Sequence, residues 1–242
     1  MLQNTKAKKR TYALKTYADY RAQILENQLS GLLLKVNEQE VWVRLIGSFN
    51  AYNLLAIYGV AIELGIESQE ALRLLSELES VSGRFQYIVS AGNITAIVDY
   101  AHTPDALENV LKTIEDIRTK NEQLITVVGC GGDRDTTKRP IMANIASTMS
   151  DKAIFTSDNP RSEKPEAIIE DMEKGVEPQN YKKTVSIVDR KQAIKTACQL
   201  AQPNDIILIA GKGHETYQEI QGVRHDFDDM KTVKELLEQL NK

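Results

Sequence analysis

The sequence lacks several features that would place it in a specialised class of protein. It has two cysteines, Cys130 and Cys198, so no disulfide framework is predicted and a reducing cytoplasm is the expected compartment. No apolar run approaches the roughly 20 residues that a membrane helix needs, and no signal-peptide core is present at the start. The formal net charge of -4 argues against a general nucleic-acid binder, because such proteins are normally basic. What remains is the composition of an ordinary globular protein whose 242 residues suffice for one large or two modest domains.

The opening of the chain is strand-like almost from its first residue. Met1-Leu2-Gln3-Asn4-Thr5 leads into strand-like sequence with no helix or domain start before it, which suggests that the chain begins in the middle of a domain. Farther along, the strand-like runs 32–36 and 41–46 flank a turn at 37–40. This pattern predicts a hairpin.

Two helices are predicted after the hairpin. The first runs from about Asn50 to Leu64, where apolar residues recur at helical spacing, and Gly65 ends it. The second runs from about Gln69 to Leu78, with Ser68 as the expected N-cap.

The pattern then breaks at Ser80-Val81-Ser82-Gly83, and we place a domain boundary there, between residues 1–80 and 81–242. Beyond it, strands alternate with helices. The predicted strands are Thr95–Tyr100, Leu124–Cys130, Lys152–Ser157, Val185–Val188 and Ile206–Ala210. The predicted helices are 104–118, 139–149, 165–174, 190–201 and 230–240. Short apolar strands alternating with amphipathic helices indicate an α/β domain with a doubly wound, mostly parallel sheet of Rossmann-like type.

Four of these strands are followed by loops rich in glycine and charge. The loops contain Asp99-Tyr100-Ala101-His102-Thr103-Pro104, Gly129-Cys130-Gly131-Gly132-Asp133-Arg134-Asp135, Ser157-Asp158-Asn159-Pro160-Arg161 and Gly211-Lys212-Gly213-His214-Glu215. In open parallel sheets, ligands bind beyond the carboxyl ends of the strands. Ordinary loops need turn residues and helix caps but not this many charges, so we expect a polar ligand at this edge of the sheet.

Each loop also has a purely structural explanation. Thr103-Pro104 is a standard helix start, with threonine as N-cap and proline at the first helical position. His102 could bond only to backbone, and His214-Glu215 could be a surface pair. Cys130 is better explained as a small packed residue than as a nucleophile, because no catalytic triad is visible.

A metal site is one further possibility. His225-Asp226-Phe227-Asp228-Asp229 carries metal-ligating side chains, and His214 could supply another ligand. A polar loop in which Asp228 or Asp229 caps the last helix is the simpler interpretation.

Two other function classes fit parts of the sequence. The glycine cluster after a strand is reminiscent of a dinucleotide-binding oxidoreductase, but Arg134 occupies the position of the third fingerprint glycine. A non-catalytic module that binds amino acids is the second alternative.

Taken together, six stretches resemble the Mur ligases, the ATP-dependent ligases of the bacterial cell wall. In the order in which that family has them, they are Gly47-Ser48-Phe49-Asn50-Ala51-Tyr52-Asn53, Gly83-Arg84, Asp99-Tyr100-Ala101-His102-Thr103-Pro104, Gly131-Gly132-Asp133-Arg134-Asp135 with Lys138-Arg139-Pro140, Asp158-Asn159-Pro160-Arg161, and Gly211-Lys212-Gly213-His214-Glu215. The closest resemblance is to the branch that adds meso-diaminopimelate to UDP-N-acetylmuramoyl-L-alanyl-D-glutamate. Family members have a UDP-binding domain, a central ATPase domain and a C-terminal domain for the incoming amino acid. The resemblance therefore implies that residues 1–80 are the end of the central domain and that 81–242 are the C-terminal domain.

The resemblance also implies which residues bind the amino acid. They are Arg134, Asp158, Asn159, Arg161, Gly211 and Glu215. Arg161 would bond the carboxylate of the non-reacting end of meso-diaminopimelate, with Arg134 and Asn159 assisting. Glu215 and the Gly211 carbonyl would take the ammonium of that end. Lysine-adding relatives lack the Asp-Asn-Pro-Arg pattern, since their substrate has no distal carboxylate.

For the ATP side, the resemblance implies that Asn50 and Asn53 lie near adenine and that Arg84, Asp99 and His102 line the nucleotide. Family members often carry Glu two residues after that arginine, whereas this chain has Gln86. No G-x-x-x-x-G-K-[ST] phosphate loop occurs in the sequence. The principal ATP-phosphate and Mg²⁺ sites are therefore expected upstream, UDP-N-acetylmuramoyl-L-Ala-D-Glu would bind mainly there, and this chain alone is expected to be inactive.

Overall fold

The computed structural model of the protein describes residues 6–242, so the expectation about Met1–Thr5 lies outside the described residues. The described chain forms two compact units. One unit runs up to Ser80 and also holds Asp116–Arg118, and the other comprises Val81–Glu115 and Thr119–Lys242. Within this range, no helix combines the length and the apolar character needed to cross a membrane.

The first unit packs two helices against a four-stranded sheet. Its elements are β1 (Tyr12–Ala13), β2 (Tyr20–Gln28), β3 (Gly31–Val36), β4 (Gln39–Val43), α1 (Ser48–Glu63) and α2 (Ser68–Ser76). The sheet order is β1-β2-β3-β4, with β1 parallel to β2 and the remaining pairs antiparallel. Alternate residues of β3, among them Leu32 and Leu34, are buried against Leu54 and Leu55 of α1.

The predicted hairpin and both helices of this unit are confirmed, with two local corrections. The turn consists of Asn37 and Glu38, both at positive φ, as expected for a two-residue hairpin loop, and Gln39 already belongs to β4. The expected Ser68 N-cap is wrong. Glu67 caps α2, because its carboxylate accepts the backbone N–H groups of the first turn, whereas the Ser68 hydroxyl donates to Gln39 Oε1 at 3.0 Å.

The second unit has the expected α/β organisation. Its elements are β5 (Gln86–Val89), β6 (Thr95–Asp99), α3 (Pro104–Ile117), β7 (Leu124–Cys130), α4 (Lys138–Met149), β8 (Lys152–Ser157), α5 (Pro165–Glu173), a 3₁₀ turn (Pro178–Lys183), β9 (Thr184–Ser186), α6 (Arg190–Leu200), β10 (Ile206–Ala210), β11 (Tyr217–Ile220), β12 (Val223–Asp226) and α7 (Asp229–Gln239). The main sheet has the order β5-β6-β10-β7-β8-β9 and is parallel except for β5, which confirms the predicted fold class.

Two strand features of this unit were not predicted. β5 adds an antiparallel edge strand to β6. β11 and β12 form a hairpin where a polar loop was expected.

Helices cover both faces of the main sheet. α6 and α7 pack their small and branched residues on one face, where Ala193, Ala197 and Val233 meet Ile207 and Ile209 of β10. α4 and α5 contact β7 and β8. Every residue of β6, β7 and β10 is buried, and these strands are mostly apolar, as strands covered on both faces require. Because β6, β7, β8 and β10 run parallel, their carboxyl ends meet at one edge of the sheet.

Candidate functional site

A cavity of about 480 Å³ opens at this edge of the sheet. All four loops predicted from the sequence contribute to its wall. The lining residues are Tyr100, His102, Thr103, Pro104, Gly129, Cys130, Gly131, Arg134, Asp135, Thr137, Lys138, Ile141, Asp158, Asn159, Arg161, Gly211 and Glu215. The structure thus brings together all six residues that the resemblance assigned to the amino acid.

Arg161 is held in place through both its backbone and its side chain. Its φ of +50° is uncommon for a residue with a side chain. Its backbone N–H donates to Glu219 O at 3.0 Å and its carbonyl accepts from Gln221 N at 2.7 Å, so the β11–β12 hairpin fixes this conformation. Its Nη1 donates to Gly132 O at 2.8 Å, which anchors one corner of the guanidinium beside the cavity. The remaining N–H groups of the guanidinium can donate to a carboxylate.

Glu215 and Asn159 form a bonded pair on the cavity wall. Asn159 Nδ2 donates to Glu215 Oε2 at 2.7 Å. The amide of Asn159 is therefore directed to the acidic residue of the site, whereas the resemblance had assigned it to assist Arg161.

A buried lysine, which sequence reasoning did not single out, lies behind this pair. The Lys212 side chain is fully buried, and its Nζ donates to Asn159 Oδ1 at 2.9 Å and lies 3.3 Å from Glu215 Oε2. The signal available in the sequence was its position between two glycines of a loop that follows a buried strand.

Gly211 shows why a residue without Cβ begins this loop. Its φ is +121°, and a Cβ there would lie 2.5 Å from Asp158 Oδ2. The absence of a side chain lets the Asp158 carboxylate approach the backbone of the neighbouring loop. The two loops can therefore converge on the same cavity.

The loops after β7 and β8 are joined to each other. The Asp133 carboxylate accepts from the Ser162 hydroxyl at 2.6 Å and from its backbone N–H, and these bonds lower the pKa of Asp133. Glu163 accepts from Asp133 N at 2.6 Å and from Arg139 Nη2 at 2.8 Å, and the arginine is the main reason that the pKa of Glu163 is lowered. A Cβ at Gly132 would overlap the Pro160 carbonyl, so the backbones of the two loops touch.

A fully buried ion pair lies below the site. Arg190 Nη2 and Nε bond to the Asp229 carboxylate at 2.7 and 2.8 Å. The same guanidinium donates to Ser157 O at 3.4 Å and to Ala210 O at 3.2 Å. These carbonyls belong to the last residues of β8 and β10, directly before Asp158 and Gly211. This pair was not predicted from the sequence.

The residues assigned to the nucleotide lie in both units. Asn50 and Asn53 belong to α1 of the first unit, where Asn50 Nδ2 donates to Ile46 O at 2.8 Å. In the second unit the Arg84 guanidinium lies 5.5 Å from the centre of the Tyr100 ring.

Asp99 and His102, also assigned to the nucleotide, both bond to nearby backbone. The Asp99 carboxylate accepts from Phe85 N at 2.7 Å, and burial raises its pKa above the ordinary range for aspartate. His102 lines the cavity, and its Nδ1 lies 2.8 Å from Tyr100 O, which is the backbone bond that the structural explanation offered.

Three structural expectations are confirmed. Thr103 Oγ1 accepts from Ala106 N at 3.3 Å and caps α3. Cys130 is buried against Met142, and burial raises the pKa of its thiol to about 12, so it stays protonated and unreactive near neutral pH. Asp228 caps α7 through a bond from Lys231 N at 2.9 Å.

Comparisons with known proteins connect this chain to a family. The family described as "Mur ligase, glutamate ligase domain" matches residues 83–213. The UDP-N-acetylmuramoyl-L-alanyl-D-glutamate--2,6-diaminopimelate ligase of Cytophaga hutchinsonii is 55% identical over 242 residues, which is 100% of this chain and 50% of that protein. The ligase of the same name from Parabacteroides distasonis is 55% identical over 98% of this chain and 49% of its own length. The chain thus spans about half the length of the curated relatives it matches.

Solved structures resemble the chain as well. A structure of a UDP-N-acetylmuramoyl-L-alanyl-D-glutamate--2,6-diaminopimelate ligase is 41% identical, with a TM-score of 0.72 over 96% of this chain and 48% of that one. The UDP-N-acetylmuramate-alanine ligase of Thermotoga maritima is 18% identical with a TM-score of 0.66, over 96% of this chain and 48% of that one, and shares the fold.

Proposed function

Because the chain belongs to the Mur ligase family, we propose that its second unit binds the non-reacting end of meso-diaminopimelate for an ATP-dependent ligase. That ligase would join the amino acid to the D-glutamate of UDP-N-acetylmuramoyl-L-Ala-D-Glu, in the cytoplasm, for peptidoglycan synthesis. The observation that carries the proposal is that Arg161 and Glu215 line the same cavity. A guanidinium and a carboxylate that line one cavity match the two charges of a zwitterion.

The chemistry of the ligand matches the individual groups. Arginine presents a planar fork that bonds a carboxylate in two places, and Arg161 keeps donors free for this after its bond to Gly132. Glu215 and the Gly211 carbonyl offer a negative charge and an acceptor to the ammonium of the same end. L-lysine has this distal ammonium but no distal carboxylate, so Arg161 would discriminate between the two amino acids.

In the proposed reaction, ATP phosphorylates the side-chain carboxylate of D-glutamate and gives an acyl phosphate and ADP. The amine at the other end of diaminopimelate then attacks the acyl carbon, inorganic phosphate leaves, and an amide bond forms. The part of this chain is to position that amine by holding the opposite end of the molecule. Positioning of this kind can supply a large share of the rate of a bimolecular step.

For ATP we propose that Asn50, Asn53, Arg84, Asp99 and His102 contact the nucleotide, a role supported by the resemblance of their motifs. Among residues 6–242, no group of three His, Cys, Asp or Glu side chains is arranged to hold a metal ion.

Calorimetric titration of the 242-residue chain with meso-diaminopimelate and with L-lysine tests the proposal. We expect saturable binding of meso-diaminopimelate and about ten- to hundredfold weaker binding of L-lysine, because a charge-assisted bidentate bond contributes about 1.5–3 kcal/mol. A folded chain that binds neither amino acid would refute the assignment of the cavity.

In the same preparation, we expect no ATP turnover with UDP-N-acetylmuramoyl-L-Ala-D-Glu and meso-diaminopimelate. The chain would then act by itself as an amino-acid-binding module. Turnover at an ordinary enzymatic rate of about 1 s⁻¹ or more would show that the absent phosphate-loop motif is not needed.

A further inference from the structure

Lys212 is a charged group whose burial requires an explanation. Its side chain is fully buried, directly after Gly211 at the end of β10. A buried ammonium costs several kcal/mol unless acceptors and opposite charge surround it. Lys212 has three such neighbours: Asn159 Oδ1 at 2.9 Å, Glu215 Oε2 at 3.3 Å, and the Tyr217 ring, whose centre is 5.6 Å away.

The lysine determines which way the Asn159 amide is oriented. An ammonium group only donates hydrogen bonds, so the oxygen of the amide must be the atom that meets it. A second donor, the backbone N–H of Glu219, reaches the same oxygen at 2.9 Å. Two donors on Oδ1 turn Nδ2 toward Glu215 Oε2, and the Asn159 orientation is fixed without ambiguity.

The orientation of Asn159 in turn fixes the acidic group of the cavity. The bonds from Asn159 Nδ2 and Lys212 Nζ both end on Glu215 Oε2. Oε1 is engaged by neither bond and remains for a ligand. One N–H of the Asn159 amide is likewise not needed for the bond to Glu215.

We propose that Lys212 is a positioning residue, which aligns Asn159 and Glu215 for the distal ammonium of the amino acid. This inference rests on the proposed function, because that function supplies the ligand. Lys212 contacts the site from behind and lies outside the cavity wall, so it acts through the other two residues.

Lys212→Met in the 242-residue chain tests the proposal, since methionine keeps an unbranched side chain of similar length and removes the charge. The matched control is Lys234→Met, which removes a lysine from the exposed side of α7. The first measurement is made without ligand: hydrogen exchange of the Asn159 side-chain amide and its NOE contacts to Glu215, by NMR. We expect about tenfold faster exchange and loss of the NOE in Lys212→Met, and no change in Lys234→Met.

The second measurement is calorimetric binding. We expect Lys212→Met to weaken meso-diaminopimelate and L-lysine by a similar factor of about ten, because both have the distal ammonium and the carboxylate contact of Arg161 is unaffected. The ratio of the two affinities should therefore stay as in the wild type. An Asn159 amide that keeps its exchange rate and NOE, together with binding within twofold of wild type, would overturn the proposal.

Two outcomes, no binding by the wild type and a Lys212→Met variant that does not fold, are covered by further comparisons. If the wild type binds no amino acid, the proposed function fails, while the ligand-free NMR comparison still decides whether Lys212 orders Asn159. If Lys212→Met does not fold, Glu215→Gln is compared instead with Lys212→Met/Glu215→Gln, which removes both charges of the pair. Asn159 should stay ordered in the single variant, where Lys212 still holds Oδ1, and lose order in the double variant. Equal order in both would contradict the proposal.

Discussion

At the scale of single residues, Arg161 combines an unusual backbone with a chemically specific side chain. A positive φ at a residue with a Cβ costs on the order of 1 kcal/mol or more and persists where surrounding bonds over-determine it. Here the bonds to Glu219 and Gln221 do so. The strained backbone places the guanidinium against Gly132 O, at the cavity.

Replacing Arg161 by lysine keeps the positive charge and removes the planar, bidentate donor. The variant therefore separates the effects of these two properties on ligand binding. We expect Arg161→Lys to weaken meso-diaminopimelate by about tenfold or more and to leave L-lysine binding unchanged, because a point charge replaces a two-pronged donor that only the distal carboxylate uses. Calorimetry with both amino acids measures this. Arg44→Lys, on the exposed surface of the first unit, is the control. Equal losses for both ligands would argue against a carboxylate contact by Arg161.

At the scale of elements, the loops after β7 and β8 behave as one structure. Asp133 bonds to Ser162, and Glu163 bonds back to Asp133 and to the buried Arg139. These bonds join the start of α4 to the approach to α5. Arg134 belongs to one of these loops and Arg161 to the other. The bonds between the loops therefore fix the relative position of the two residues.

The charge on Glu163 should make the stability contributed by these joined loops depend on pH. Arg139, and after it the Asp133 N–H, lower the pKa of Glu163 in the folded protein. A lowered carboxyl pKa stabilises the fold above the unfolded value of about 4.3, and this contribution disappears as the pH falls through the folded value. Glu163→Gln should be less stable than the wild type at pH 7, and the difference should vanish in strong acid.

Urea unfolding between about pH 2.5 and pH 7 measures this difference. Glu235→Gln, on the exposed surface of α7, is the matched control and should show a much smaller pH-dependent difference. If Glu163→Gln lowers the free energy of unfolding by the same amount at every pH, packing and not charge accounts for the loss.

At the scale of the whole second unit, the Arg190–Asp229 pair connects four elements. It joins α6 to the first turn of α7, and its bonds to Ser157 O and Ala210 O hold the ends of β8 and β10. Both side chains are fully buried. The two strand ends that lead into the proposed amino-acid site are thus bonded to one guanidinium.

Breaking this pair on one side should be costly. Arg190→Met leaves the Asp229 carboxylate buried without its partner, and we expect a loss of about 3–5 kcal/mol in the free energy of unfolding. Arg190→Met/Asp229→Leu removes both charges and should lose clearly less. Urea unfolding of the two variants and the wild type gives the comparison. A double variant as unstable as the single one would show that the penalty does not come from an unpaired charge.

The sequence by itself determined the alternation of buried strands and helices in the second unit and the edge of the sheet at which the candidate site lies. Apolar runs such as 206–210 mark buried strands locally, and a parallel sheet brings the ends of such strands to one edge. The six amino-acid-binding candidates, taken from family motifs in these loops, accordingly line one cavity. The β5 edge strand and the β11–β12 hairpin escaped prediction because their short, partly exposed segments carry no comparable apolar signal.

Only the tertiary structure decided which charged side chains meet. Lys212 reaches Asn159 across 53 residues of sequence, and Arg190 reaches Asp229 across 39. No local pattern records such pairs, because a lysine beside a glycine and an arginine at the start of a helix are ordinary in solvent. Their burial follows from how loops and helices pack, and burial converts them from solvated charges into the groups that hold the site.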